Sequence, residues 1–218
     1  MTGVQTCALP IFLAHANRFQ FSAEMLRDNV LSASGLLVDK TGGPSVKPYE
    51  VAESFKPVSR DTGDSLYRRS LYTYWKRTGP APVMMTLDAA KREVCSVKRA
   101  RTASPLHAIV LLNDPQLIEA ARVVGQAMVK KYGDDHPASI RELFRRFTSR
   151  FPSERETAVL CKAYQQQFDY FVKRPEQVTQ FLKTGDAPVD ETLPAAQVAA
   201  MGMVVNLLIN FDECTIRR

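Results

Sequence analysis

From residue 114 onward apolar side chains recur at helical spacing, and the breaks between the runs carry helix start and stop signals. Asp114-Pro115 opens a helix, with Asp as N-cap and Pro at the first helical position. Leu117, Ala121, Val124 and Met128 form its inner face, Lys130 and Lys131 suit its negative end, and Gly133 stops it. The turn GDDHP follows; Asp134, Asp135 and His136 are expected as capping residues before Pro137 and not as metal ligands. Ile140, Leu143, Phe144 and Phe147 fall at i, i+3, i+4 and i+7, with Arg141, Arg145 and Arg146 around the other side. Ser153 with Glu156 is a capping box that opens a long helix striped by Leu160, Tyr164, Phe168 and Phe171. Pro175 starts another, with Val178, Phe181 and Leu182 inward and Gly185 stopping it. The last segment, Leu193 to about Phe211, is the most apolar, but Gln197, Asn206 and Asn210 make it a poor membrane span. The pattern predicts a central bundle helix whose asparagines are hydrogen-bonded to neighbours.

The first half is less regular. Ser22 is a good N-cap with Glu24 in the first turn, and Leu26, Val30, Ala33 and Leu37 give one apolar face of about four turns. Glu24, Arg27 and Asp28 are expected on the polar side, as a solvated cluster or an ion pair to a loop. Asp39 to Asp64 reads as irregular. Its TGGPSVKPY piece resembles a phosphate-cradling turn, yet it lacks the Gly-Lys-Ser/Thr ending, and Pro44 and Pro48 each remove an amide donor, so a structural turn is predicted. Tyr67, Leu71, Tyr74 and Trp75 fit a helical stripe, whereas the density of Tyr, Thr and Trp favours a short strand or hairpin. A Pro80–Pro82 turn then leads to VMMTLDAAKREVCSVKR, and LHAIVLLN after Pro105 reads as a short buried helix. The fold class expected is mainly α: an irregular helical bundle around a loop-rich central segment that admits short strands.

Composition adds charge to this picture. The 218 residues carry a formal net charge of +6, which points to anionic partners such as nucleic acid, phosphate, sulfate or uronate. Hydrophobic content of 45% excludes global disorder. The first eleven residues, MTGVQTCALPI, back-translate with a GTG start to a short-read sequencing adapter and are expected to be an artefactual tail, residues 1–11. Residues 12–218 are then read as a single helical domain, the C-terminal fragment of a larger protein. Setting Cys7 aside leaves Cys95, Cys161 and Cys214, with no C-x-x-C spacing for zinc and no C-x-x-C-H for covalent haem, and these are expected to be buried small hydrophobes.

Candidate chemistry gathers in one stretch. Ten Lys or Arg lie between Arg60 and Arg101, interleaved with Tyr67, Tyr72, Tyr74 and Trp75. Arg68, Arg69, Trp75, Arg77, Asp88, Arg92, Glu93, Arg99, Asn113 and Asp114 form a candidate polar hub or anion-binding set. Basic residues among aromatics can bind single-stranded nucleic acid. Here acids lie among the bases and the aromatics are clustered, so arginines hydrogen-bonding buried carbonyls are the better account. A Cys95–His107 nucleophile pair is conceivable, but a core cysteine and a core histidine explain both residues better.

The stretches SAEMLRDNVLSASGLLV, GGPSVKPY, LYRRSLYTYWKRT, MMTLDAAKREVCSVKR and TASPLHAIVLLND, with the tail ending NLLINFDE, resemble domain-of-unknown-function family 1553 of planctomycetes and verrucomicrobia. The family tends to read Thr-Asn-Thr-Pro-Leu-Gln where this chain has Thr102–His107, and Phe-Asp-Ala-Pro where it has Leu87–Ala90, so His107 inherits no role. The resemblance implies a large, exported, multi-domain bacterial protein, periplasmic or in the cell envelope, with haem confined to the preceding region and no cofactor or metal in this one. The family's biochemical role is unassigned and it brings no catalytic residues. With no compact catalytic motif in the chain, the expectation is an interaction or scaffold domain that joins the N-terminal domains of its parent and a polysaccharide or redox partner. A hydrolase or lyase acting on a sulfated or uronic substrate, with Asp88, Glu93, Asn113 and Asp114 as acid/base groups, is the alternative. Nucleic acid ranks last among the partners.

Overall fold

The computed structural model describes residues 19–49, 59–76, 81–90, 95, 97–99, 102 and 104–217. In chain order they form β1 (Phe19–Gln20), α1 (Ala23–Ser34), two 3-10 turns (Gly63–Tyr67 and Ser70–Tyr72), α2 (Pro82–Thr86), α3 (Pro105–Asn113) and α4 (Pro115–Tyr132). Then come α5 (His136–Thr148), α6 (Glu154–Val172), α7 (Pro175–Leu182), α8 (Ala195–Ile209), α9 (Asp212–Thr215) and β2 (Ile216–Arg217). The architecture is mainly α, as the periodicity predicts. The expected artefactual tail, residues 1–11, lies outside the described residues, as does Pro80 of the Pro80–Pro82 turn, whose Pro82 begins α2.

The caps are those the sequence signals. Ser22 Oγ accepts from the Met25 amide at 3.3 Å, Asp114 Oδ1 from Gln116 and Leu117, and Asp135 from Ala138, each satisfying amides that a helix start leaves unpaired. Ser153 and Glu156 close the capping box, so α6 starts where its spacing says. The central segment differs from expectation. No strand or hairpin forms at Tyr67–Trp75; the chain makes the two 3-10 turns and touches the glycine-rich loop through the single bridges Val38–Arg68 and Val46–Thr73. The aromatic density there serves side-chain contacts and not a ladder. Helix α3 also forms, but of its residues only His107 and Leu111 are buried, while Leu106 and Ile109 are exposed.

The core is built on α4 and α8, with α1, α5, α6 and α7 packed around them. Helix α8 is buried along almost its whole length, which explains why its sequence is apolar on nearly every face. Asn206 donates to Leu112 O at 3.0 Å, so this polar residue ties α8 to α3, as expected of a bundle asparagine. The two central helices meet at glycines. A Cβ on Gly125 would lie 2.8 Å from Gly202 N and 3.1 Å from Val198 O, and one on Gly202 would lie 2.7 Å from Phe181 Cζ. Backbone therefore packs on backbone at the crossing, and the Phe181 ring of α7 fills the space over Gly202. No described helix is long and apolar enough to cross a membrane.

The two ends of the described chain meet. Strand β1 pairs antiparallel with β2, Phe19 opposite Arg217 and Gln20 opposite Ile216. Arg150 fastens the same end: it donates to Glu156 at 2.6 and 2.9 Å and to Glu213 at 2.8 and 3.1 Å, with its guanidinium carbon 4.6 Å from the Phe144 ring centre.

Two outcomes follow from this packing. Gly125→Val should lower stability by roughly 1–3 kcal/mol, because the new side chain has only backbone to displace; the urea midpoint measures it. The second concerns Glu156. Arg150, then the Ser153 amide, hold its carboxyl down at about 2 from an ordinary 4.5. Its contribution is therefore complete above pH 4.5 and lost as pH falls towards 2. Thermal unfolding across that window should show a drop in Tm that Glu156→Gln flattens.

Candidate functional site

The candidate hub is centred on a residue outside the predicted set. Arg27 lies on the inward face of α1, 3% exposed, and not in the solvated cluster expected of it. Its Nε donates to Gln116 Oε1 at 2.7 Å, Nη1 to Arg68 O at 2.8 Å and Ser70 Oγ at 3.1 Å, and Nη2 to Leu66 O at 2.7 Å. Asp28 Oδ1 accepts from the Ser70 amide at 2.8 Å and the Ser70 hydroxyl at 2.6 Å, and sits 3.6 Å from Arg27 Nη1. A buried guanidinium is tolerable only when its donors are matched, and here the acceptors are mainly carbonyls of the two 3-10 turns. Those turns present carbonyls to a cation because they are not part of a ladder.

Asp114, 3% exposed, adjoins this network as the N-cap of α4. Burial raises its pKa, while the Leu117 and Gln116 amides and Arg27 oppose the rise. Its Oδ2 has no hydrogen-bond partner among the described residues. The Tyr49 ring lies 6.0 Å from the Arg27 guanidinium; burial and then Asp114 push its hydroxyl well above the ordinary tyrosine value.

Arg68 points the other way, into the glycine-rich loop. It donates to Pro44 O at 2.9 Å, Lys40 O at 3.0 Å and Gly42 O, and lies 4.0 Å over the Tyr72 ring. Tyr72 Oη in turn accepts from the Gly42 amide at 2.8 Å. The loop thus turns carbonyls towards a cation, the opposite polarity to an anion cradle, and the structural-turn expectation holds.

A second buried pair lies further along α4. Glu119, 2% exposed, accepts from Tyr67 Oη at 2.8 Å and from the amides of Asp186 at 2.6 Å and Ala187. Arg122, fully buried, donates to Ala187 O at 2.6 Å, Pro188 O at 3.1 Å and Gln126 Oε1 at 2.7 Å. Burial lowers the Arg122 pKa and the Glu119 carboxylate opposes that. Gln116, Glu119 and Arg122 recur every three residues on α4 and join the central turns to the 185–188 loop. That spacing was the available signal: polar side chains sharing one flank of a helix otherwise buried widely.

The other predicted residues occupy separate places. Arg69 pairs with Asp39 at 3.1 Å on the surface, and Arg99 pairs with Glu24 at 3.0 Å. Asn113 turns back to Ile109 O at 2.8 Å, and Trp75 packs half-buried on the core. Asp88, at φ 59°, accepts from the Thr102 amide at 2.6 Å and hydroxyl at 2.8 Å, and lies 3.8 Å from His107 Nε2. Arg77, Arg92 and Glu93 lie outside the described residues. His107 is buried as expected, but Cys95 is exposed, which corrects the core-cysteine reading; Cys161 is half-buried and Cys214 buried. Among the described residues no three His, Cys, Asp or Glu side chains gather around a common point suited to a metal ion.

The cavity beside the hub, about 560 Å³, is bordered by Lys40, Arg60, Asp61, Asp64 and Arg68. Most of these charges have internal roles. Asp61 accepts from the Lys47 amide at 2.8 Å, and Arg60 pairs with Asp186 at 2.6 Å.

Residues 9–164 match the model of a protein family described as PSD1, protein of unknown function (DUF1553). The match ends at Tyr164 within α6, so the NLLINFDE stretch lies beyond it. No curated protein and no solved structure matches the chain.

Removing the central cation tests the hub. Arg27→Met leaves Arg68 O and Gln116 Oε1 without the Arg27 donors and Asp28 without its buried cation, although Leu66 O keeps Gln116 Nε2 at 2.8 Å. It should cost about 3–5 kcal/mol, whereas Arg69→Met, at the surface, should cost about 0–1 kcal/mol; chemical denaturation of the two variants compares them.

Proposed function

We propose, from the premise that the chain belongs to the DUF1553 family of proteins of unknown function, that it is a helical interaction or scaffold domain of a larger exported bacterial protein. Its own role is to hold a rigid surface against the N-terminal domains of its parent and against an anionic polysaccharide or a redox partner. One observation carries this reading. The buried guanidinium groups of Arg68, within the most basic and aromatic stretch, and of Arg27, packed against it from α1, end largely on main-chain carbonyls inside the molecule. An acid/base site needs charged groups converging on a space that substrate can enter. Here Asp114 caps a helix, Asp88 holds the Thr102 turn, Asn113 caps its own helix and Arg99 pairs with Glu24. These roles fit a fastened hub better than a hydrolase or lyase centre.

The test is a paired assay. Calorimetric titration of the chain with heparin and with polygalacturonate should give binding to at least one of them, while reducing-end release from the same mixtures stays at the rate of the polymer alone. Release abolished by Asp88→Asn or Asp114→Asn, with the fold intact by circular dichroism, would replace the scaffold reading with the hydrolase one.

A further inference from the structure

We propose that the anionic polymer is held not by the central block but by the groove between α5 and the start of α6, where Arg141, Arg145 and Arg146 bind sulfate or carboxylate groups of an acidic polysaccharide. This deepens the scaffold reading and rests on it. The groove encloses about 760 Å³ and is bordered by these three arginines with Tyr132, Glu142 and Phe151 among its walls.

The argument is one of charge pairing. Several arginines elsewhere are matched, Arg150 to Glu156 and Glu213, Arg99 to Glu24, Arg60 to Asp186, Arg27 and Arg68 to carbonyls, whereas Arg141, Arg145 and Arg146 converge on one groove. Among the described residues no carboxylate pairs with Arg141, Arg145 or Arg146, and all three are exposed. The one acid among the groove's lining residues, Glu142, is taken by Lys131 Nζ at 2.6 Å and by the Tyr132 hydroxyl, and these bonds, with a smaller contribution from the Arg146 charge, hold its carboxyl below the usual range. The groove is therefore left with an excess of positive charge, three arginines against one carboxylate already bonded to Lys131. Arg145 and Arg146 lie in the last turn of α5, where cations suit the helix dipole, but Arg141 lies mid-helix and gains nothing from that. Arg141 and Arg145 are one turn apart, about 6 Å along the axis, a spacing for successive anionic groups on an extended chain.

The aromatic content selects the class of polymer. Phe151 is 59% exposed, and the Arg145 guanidinium already covers one face at 4.8 Å from the ring centre. The other ring, Tyr132, is half-buried with the Lys131 ammonium 5.0 Å from its centre, so the two rings, each with a cation over it, give no path of successive free stacking platforms of the kind that holds single-stranded nucleic acid. They do give an apolar rim for the carbon faces of a sugar while planar guanidinium forks bind oxyanions in pairs.

The experiment uses the full chain and four fluorescent probes: heparin, polygalacturonate, polyadenylate and polyglutamate, each titrated by anisotropy at two salt concentrations. The variant Arg141→Ala/Arg145→Ala/Arg146→Ala should weaken heparin or polygalacturonate binding by about tenfold or more and flatten its salt dependence. A variant with equal charge loss on other exposed positions, Arg155→Ala/Lys162→Ala/Lys173→Ala, should stay within about twofold. Should the triple variant lose its helical circular dichroism, the single Arg141→Glu, exposed and mid-helix, gives the same readout. Equal losses in both triple variants, or none in the α5 variant, overturn the groove and leave the scaffold reading standing. Tighter groove-dependent binding of polyadenylate or polyglutamate overturns the polysaccharide in favour of a nucleic acid or an acidic protein segment. If the unaltered chain binds neither polysaccharide, the polymer part of the scaffold reading falls with it.

Discussion

A guanidinium sealed from water sets the terms for the first half of this molecule. Arg27 has to find acceptors for its donors inside the protein, and it finds them on Gln116, Ser70 and the carbonyls of Leu66 and Arg68. Regular secondary structure would have consumed those carbonyls. The 3-10 turns, the absence of a hairpin at Tyr67–Trp75 and the seating of α1 on α4 are therefore parts of one arrangement. Arg68 repeats the principle one layer out, gathering Lys40, Gly42 and Pro44 carbonyls, and the Glu119–Arg122 pair repeats it for the loop before α8. Three irregular segments are each held by a buried charge on or beside a helix.

The second half depends on shape. Gly125 and Gly202 let α4 and α8 approach until backbone meets backbone, and the Phe181 ring covers what the missing side chains leave. Neither helix needs a polar partner at that point. The two halves share α4, whose apolar flank meets α8 while its polar flank carries Gln116, Glu119 and Arg122.

That division explains what could be read from the amino acids alone. The helices from Asp114 to Asn210 were legible because solvent on one side and core on the other impose a 3.6-residue period, and the caps at Asp114, Asp135 and Ser153 are local chemistry. Arg27 was illegible for the same reason. A charged residue between other charged residues reads as solvated, and only the carbonyls of turns some forty positions away reverse that reading. The central block misled through β propensity, which reports fit to a pleated surface; Tyr67 instead donates its hydroxyl to Glu119, and Tyr72 lays its ring against Arg68. Of the candidate residues, Arg68 and Asp114 belong to the buried network, whereas Asp88, Arg99 and Arg69 are held at three other points of the surface. Charge in the sequence marked a region, but pairing in space decides which charges are available to a ligand.

The clamp on the 185–188 loop has a consequence for how this segment can diverge. Glu119 and Arg122 grip the amides of Asp186 and Ala187 and the carbonyls of Ala187 and Pro188, groups that every residue type offers except for the amide that proline lacks. Side-chain identity at 187 is thus nearly neutral to the grip. At 185 it is not, since any Cβ there would overlap the Glu119 carboxyl carbon at 2.2 Å. In related chains that keep the acid and the base on this helix, the grip should tolerate any residue but proline at 187, while position 185 stays glycine and 186 answers to Arg60.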